Sequence, residues 1–191
     1  MGAMLADTAE VPDELLIGRA RDGDRDAFGM LVERHYDFIH RVAYRWAGNR
    51  TDAEDITQDV CVRLGRTIRS YRGGAAFTTW LYAVVFSAAR DFSRSSRRES
   101  ARIDAFGVHA LVSPATAEPM AERQEEEKAD ELWAAVRRLP DKQREAVTLV
   151  YGEGLGHAAV ADVMGLAEAT VSWHVHEARK RLKRMLLAGE D

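Results

Sequence analysis

The chain has 191 residues, 46% of them apolar and 30% charged, with a formal net charge of −4, which excludes a wholly disordered polymer and allows one compact domain or two small ones. No apolar run approaches the ~18 residues of a membrane span and no basic-then-apolar leader opens the chain, so neither membrane insertion nor secretion is expected. Cys61 is the single cysteine, which excludes an internal disulfide or a cysteine-based zinc site and suits a reducing cytoplasm.

Met1-Gly2-Ala3 reads as a cloning remnant, with Met4 as the natural start. Pro12 suits a helix start, and Asp13 to Arg21 reads as a short helix ended by Asp22-Gly23-Asp24. From Arg25 to about Ala47, Phe28, Leu31, Val32, His35, Ile39, Val42, Ala43 and Trp46 recur at helical spacing. Gly48-Asn49 is a stop signal, and Thr51 with Glu54 has the order of a capping box for the next helix. That helix carries Ile56, Val60, Leu64 and Ile68 on one face, until Arg72-Gly73-Gly74 breaks it. Thr78 opens a helix with Leu81, Val84, Val85, Ala88 and Phe92 inward. Residues 99–124 lose the periodicity and hold Gly107, Pro114 and Pro119, so a flexible linker is expected there. Beyond it, 125–138 reads as a helix stopped by Pro140, Asp141 as the N-cap of a helix reaching Tyr151, His157 to Met164 as a short helix, and Glu168 to Leu187 as a long one. The expected fold is all-α, with two small helical domains at 13–98 and 125–187.

Charge is unevenly spread. From Arg63 to Arg98 eight arginines face one acid, Asp91, and from Val171 to Leu187 five bases face Glu177, while residues 99–131 hold nine acids and three bases. Two basic patches on an acidic chain fit two anchoring points for a polyanion; solvated helix faces would give the same composition.

The last two helices have the helix-turn-helix layout: Ala159, Val160 and Val163, a turn at Gly165, then Val171, Val175, Ala178 and Leu182 inward. Ser172, Trp173, His176, Arg179, Lys180 and Lys183 are left facing outward, which fits a DNA major groove. An ordinary helical hairpin on a basic surface would share the pattern. Asp52, Glu54, Asp55, Gln58 and Asp59 load one helix start with acid. Dipole complementation alone accounts for this; Asp55 and Asp59, one turn apart, also suit protein docking, and metal ligation is the weaker option. Tyr71-Arg72-Gly73-Gly74 followed by Phe77, Trp80 and Tyr82 interleaves rings with a cation, which suits stacking on an unpaired strand; for Trp80 alone, a core position is expected. His174 and His176 point to different sides of a helix and cannot share a metal, and His35 is expected to border the core. No catalytic motif, metal set or cofactor loop is present.

Asp52-Ala53-Glu54-Asp55-Ile56-Thr57-Gln58-Asp59-Val60, then Tyr71-Arg72-Gly73 with Phe77-Thr78-Thr79-Trp80-Leu81-Tyr82, then Leu139-Pro140-Asp141-Lys142-Gln143-Arg144-Glu145 together resemble bacterial sigma factors, and the two-domain size resembles the extracytoplasmic-function subfamily. The resemblance covers about residues 13–187 apart from the linker. It implies a non-enzymatic transcription-initiation factor with no cofactor, whose partners are core RNA polymerase, promoter DNA and an anti-sigma factor, acting in a stress or environmental response. Asp52, Asp55, Gln58 and Asp59 would dock on the β′ clamp helices. Arg69, Tyr71, Arg72, Phe77, Thr79, Trp80, Ser87, Arg90 and Arg94 would capture the minus-ten element. The second domain would contact the β flap and read the minus-thirty-five element with Glu168, Thr170, Ser172, Trp173, His176, Arg179, Lys180 and Lys183. The acidic linker would pass through the RNA exit region. Departures at Cys61, Gly65, Ser87 and Ser172-Trp173-His174 bear on the promoter sequence. The run Thr170 to Val175 also resembles LuxR-type response regulators, so a DNA-binding regulator without polymerase contact is the runner-up. A metal-dependent nuclease using Asp52, Glu54, Asp55 and Asp59 is the third alternative.

Overall fold

A computed structural model describes residues 11–105 and 123–187, with side chains over 11–98 and 129–187. The reading of Met1 to Ala3 and most of the expected linker lie outside these residues. Among the described residues every regular element is helical: α1 (Asp13–Arg21), α2 (Arg25–Ala47), α3 (Arg50–Thr67) with a tight turn over Ile68–Ser70, α4 (Phe77–Ala105), α5 (Arg123–Arg137), α6 (Asp141–Val147) with a wide turn over Thr148–Gly152, α7 (His157–Met164) and α8 (Glu168–Leu187). Helix α4 thus continues to Ala105, through the first seven residues of the linker expected from 99.

Local chemistry sets the boundaries. The Asp24 carboxylate caps α2, accepting from the backbone N–H groups of Asp26 and Ala27 at 3.0 and 3.1 Å. Gly48 ends α2 with φ +80°, a conformation that favours glycine. That turn leaves Asn49 extended, and its side-chain oxygen accepts from Asp52 N–H at 2.9 Å. Asn49, not the expected Thr51, is therefore the cap of α3. Asp141 is likewise not a cap. It is the first residue of α6, behind Pro140, and its carboxylate accepts from Arg144 at 3.1 Å and Arg97 at 3.2 Å.

In the first domain α1, α3 and α4 surround α2, burying Leu16, Leu31, Ile39, Val42, Trp46, Ile56, Val60, Leu81, Val85 and Phe86. Trp46, 2% exposed, meets Phe86 edge-on at 5.4 Å and donates from its indole N–H to Ser93 at 3.1 Å. Asp13 ties α1 to α2, accepting from Arg34 at 2.6 Å and pairing with His35 Nε2 at 2.8 Å. His35 borders the core, as expected. In the second domain α8 packs on α5, α6 and α7 over Val136, Leu139, Val147, Ala178 and Leu182.

The two domains are docked. Helix α7 packs on α4, and Leu149, Val160, Ala161 and Met164 join the apolar cluster of the first domain. The sequence pattern gives no sign of this, because apolar residues at helical spacing do not report which domain they pack against.

Two stability predictions follow from these contacts. Asn49→Ala should cost about 0.5–2 kcal/mol in urea unfolding. Burial raises the Asp13 carboxyl pKa, but the bonds and charges of Arg34 and His35 outweigh it and hold the group below its usual 3.8. The unfolded chain then takes up this proton first, so the stability from Asp13 is full above 3.8 and lost as pH falls through the lower folded value. Asp13→Asn should show a constant stability deficit above about pH 5 that shrinks toward acid in pH-resolved urea melts.

Candidate nucleic-acid interface

Helix α8 follows the short α7 through a turn in which Gly165 sits at φ +62° and Leu166 N–H donates to Ala161 at 3.0 Å. The buried stripe Val171, Val175, Ala178 and Leu182 fixes the rotation of α8. Its opposite face then carries Trp173, His176, Arg179, Lys180 and Lys183 into solvent, with Trp173 56% exposed. Lys180 lies 3.5 Å from Glu177. Glu168 is exposed at the helix start and Thr170 is half-buried. Ser172, expected outward, is half-buried and hydrogen-bonds His157 Nδ1 at 2.9 Å, which ties α8 to α7. Burial and the nearby Lys142 charge lower the His174 pKa.

In the first domain the tight turn and the following loop leave Arg69 and Arg72 exposed. Tyr71 O–H donates to the Ala75 carbonyl at 2.6 Å, closing the loop on itself. Its ring lies 5.4 Å from Phe77 and 5.5 Å from Trp80, and Phe77 reaches His35 at 5.1 Å. A cleft of about 750 Å³ opens between α1 and this loop, lined by Asp13, Glu14, Arg21, Tyr71, Arg72 and Thr78 among others. Phe77 is buried, so it props the cleft and offers no open ring face; Trp80 is half-buried against the core. Thr79 and Ser87 are half-buried and Arg94 is exposed, 4.0 Å from Asp91. Arg90 is engaged elsewhere, donating to Glu145 of α6 at 2.6 Å. Tyr82, grouped in sequence with the stacking rings, is buried, and its hydroxyl donates to Glu153 at 2.8 Å.

On α3, Asp55 and Gln58 face solvent one turn apart. Asp52 is held by Asn49 at 2.9 Å, and Asp59 pairs with Arg63 at 2.7 Å, which also reaches Asp91 at 2.7 Å. Glu54 pairs with Arg50 at 2.7 Å. Asp52, Glu54 and Asp59 are taken up by side-chain partners, and among the described residues no three such side chains converge to hold a metal ion.

The buried carboxylates Glu145 and Glu153 were not singled out as functional residues in the sequence. Their sequence neighbours do not distinguish them from surface acids; only the tertiary partners do.

Comparisons with known proteins agree with this architecture. The family model for Sigma-70 region 2 matches residues 31–99, and that for Sigma-70 region 4 matches residues 129–182. The ECF RNA polymerase sigma factor SigM of Mycobacterium tuberculosis (strain ATCC 25618 / H37Rv) is 33% identical, over 93% of this chain and 86% of that protein. The ECF RNA polymerase sigma-E factor of Escherichia coli (strain K12) is 26% identical, over 91% and 93%. The solved structure of the sigma factor RpoE in complex with the anti-sigma factor NepR from Bartonella quintana shares the fold, with a TM-score of 0.61 at 22% identity over 83% of this chain and 96% of that one. The matched models and this level of identity place the chain in a family: it belongs to the extracytoplasmic-function RNA polymerase sigma factors.

Proposed function

We propose that the chain joins core RNA polymerase and directs it to promoters by dividing the work between its two domains. The exposed Asp55 and Gln58, with Asp52 and Asp59 beside them, form the docking face for the β′ clamp helices. The cleft beside Tyr71, with Arg69, Arg72, Thr79, Trp80, Ser87, Arg90 and Arg94 around it, takes the melted minus-ten strand, where ring stacking contributes roughly 1–3 kcal/mol per base. Phe77 acts there as a support. Helix α8 enters the major groove of the minus-thirty-five element with Trp173, His176, Arg179, Lys180 and Lys183, flanked by Glu168, Thr170 and Ser172. The second domain also meets the β flap. The protein works in the cytoplasm as a specificity subunit without catalysis of its own, and an anti-sigma protein covers these faces when transcription is not required. No described helix is long and apolar enough to cross a membrane.

The observation that carries this reading is the exposed polar and basic face of α8, held outward by a buried stripe on its other side. Two modest DNA contacts joined through one enzyme gain affinity by effective concentration. On a promoter selected from a random library with core enzyme, Arg179→Ala/Lys180→Ala should reduce run-off transcript at least about tenfold, equivalent to about 1.4 kcal/mol. It should leave core binding unchanged, whereas Asp55→Ala/Gln58→Ala should weaken core binding itself. Unchanged transcription in the first variant contradicts the placement of the recognition helix. DNA binding with no stable core complex favours an independent regulator.

A further inference from the structure

The outer crest of α8 changes chemistry along its length. At about 100° per residue, Trp173 and Lys180 lie within about 10° of the direction opposite the buried stripe of Val171, Val175, Ala178 and Leu182, and Ala169 lies within about 30° of it. Ala169, Trp173 and Lys180 are exposed, as are Lys183 and Arg184 beside them. The first half of the crest is therefore apolar and the second half cationic. From Glu168 to Ala178 the helix holds no lysine, arginine, asparagine or glutamine. Those are the side chains that read guanine or adenine by paired hydrogen bonds. Of the hydroxyls in this stretch, Ser172 is engaged with His157 Nδ1 at 2.9 Å and Thr170 is half-buried.

The Trp173 ring meets the His174 ring edge-on, with centroids 5.0 Å apart and planes at 65°. The bond from Ser172 to His157 anchors the turn of α8 that carries both rings. An indole has only two side-chain torsions, so one braced in this way loses little freedom when it is covered. Trp173 is nevertheless 56% exposed, with its apolar surface facing outward. In the major groove the one apolar feature is the C5 methyl of thymine; the other base-edge groups there are donors and acceptors. An indole pressed on those groups would strip their water and return no hydrogen bond. Pressed on a thymine methyl, it removes apolar surface from water on both partners. Ala169 and Trp173 are about 6 Å apart along the helix axis, less than two base steps of ~3.4 Å. Their apolar surfaces can therefore meet methyls on neighbouring base pairs.

We propose that the head of α8 reads thymine by its methyl group, with Trp173 and Ala169 as the specificity-determining residues. Lys180, Lys183 and Arg184, further along the same crest, hold phosphates and read no sequence. Under this division the upstream element carries an A·T pair beneath Trp173. Its orientation is recognised as well, because the methyl marks only one of the two strands. The inference rests on the reading of α8 as the recognition helix and adds which base feature that helix selects.

The test uses the full chain with core RNA polymerase on a promoter selected from a random library. Thymines of the upstream element are replaced one at a time by deoxyuridine, which lacks only the methyl. For the wild type, at least one replacement should weaken binding about fourfold, the change expected for burial of one methyl group (~0.8 kcal/mol, at about 1.4 kcal/mol per tenfold). With Trp173→Ala the thymine and deoxyuridine forms of that promoter should bind equally, whereas Trp173→Phe, still apolar, should keep a difference. Lys183→Ala should weaken both forms by the same factor and lower the salt dependence of binding. Wild-type binding that no deoxyuridine replacement weakens overturns the methyl reading, and so does a fourfold difference that survives Trp173→Ala. In either case a weakened Lys183→Ala variant still places α8 on DNA. Binding unchanged in both Lys183→Ala and Trp173→Ala overturns the placement of α8 itself, and the methyl reading with it.

Discussion

Two glutamates removed from water are the constraint around which this molecule is arranged. Glu145 and Glu153 lie at the meeting of α2, α4 and α6, and their arginine and tyrosine partners all come from the other domain. A carboxylate so placed must be paired or protonated. Pairing across the domains joins α6 and the turn after it to α2 and α4, beside the apolar packing of α7 on α4. The same environment acts on the neighbouring groups. Burial, with Glu153 beside it, pushes the Tyr82 hydroxyl up, and desolvation pulls the Arg144 guanidinium down to about 10 despite Asp141 nearby. Truncating one partner leaves a charge uncompensated, so such contacts are sensitive to single changes in a way apolar contacts are not.

Around that contact each functional face is built by ordinary helix physics. A buried stripe on α8 decides which residues meet solvent, and Gly165 sets the angle between α7 and α8. On α3 the Asn49 cap holds the helix start, and Asp59 is shared with Arg63, leaving Asp55 and Gln58 as the outermost polar pair. In the loop before α4 the Tyr71 hydroxyl holds the backbone at Ala75, so the cleft beside α1 is preorganised. None of these faces is large, which suits a protein whose specificity arises when two of them act through one enzyme.

Much of this was legible from residue order. Apolar periodicity gave α1, α2, α7 and α8, because each buries a single stripe and periodicity reports that directly. The outward set on α8 follows from the same rotation. Capping was less legible: Thr51 and Glu54 have the right spacing, yet Asn49 wins because Gly48 leaves it in extended backbone with its side chain over the first turn. Phe77 and Tyr82 looked like open stacking rings, and tertiary packing buried both. Ser172 looked outward and is drawn to His157. The docking of the domains was not legible at all. It depends on apolar residues of α7 joining the core of the first domain, and on Glu145 and Glu153 meeting partners about 50 to 110 positions away, and no local pattern encodes such a pairing.

The claim most directly open to measurement is that α8 is the element that meets promoter DNA. A DNA-cleaving chelate tethered to a cysteine introduced at Trp173, exposed on α8, in a Cys61→Ser background reads this position directly when the protein is bound to core RNA polymerase on a selected promoter. Strand cuts should cluster at the upstream promoter element. Cuts that are absent there, or scattered along the DNA, while the labelled protein co-elutes with core enzyme would contradict the account.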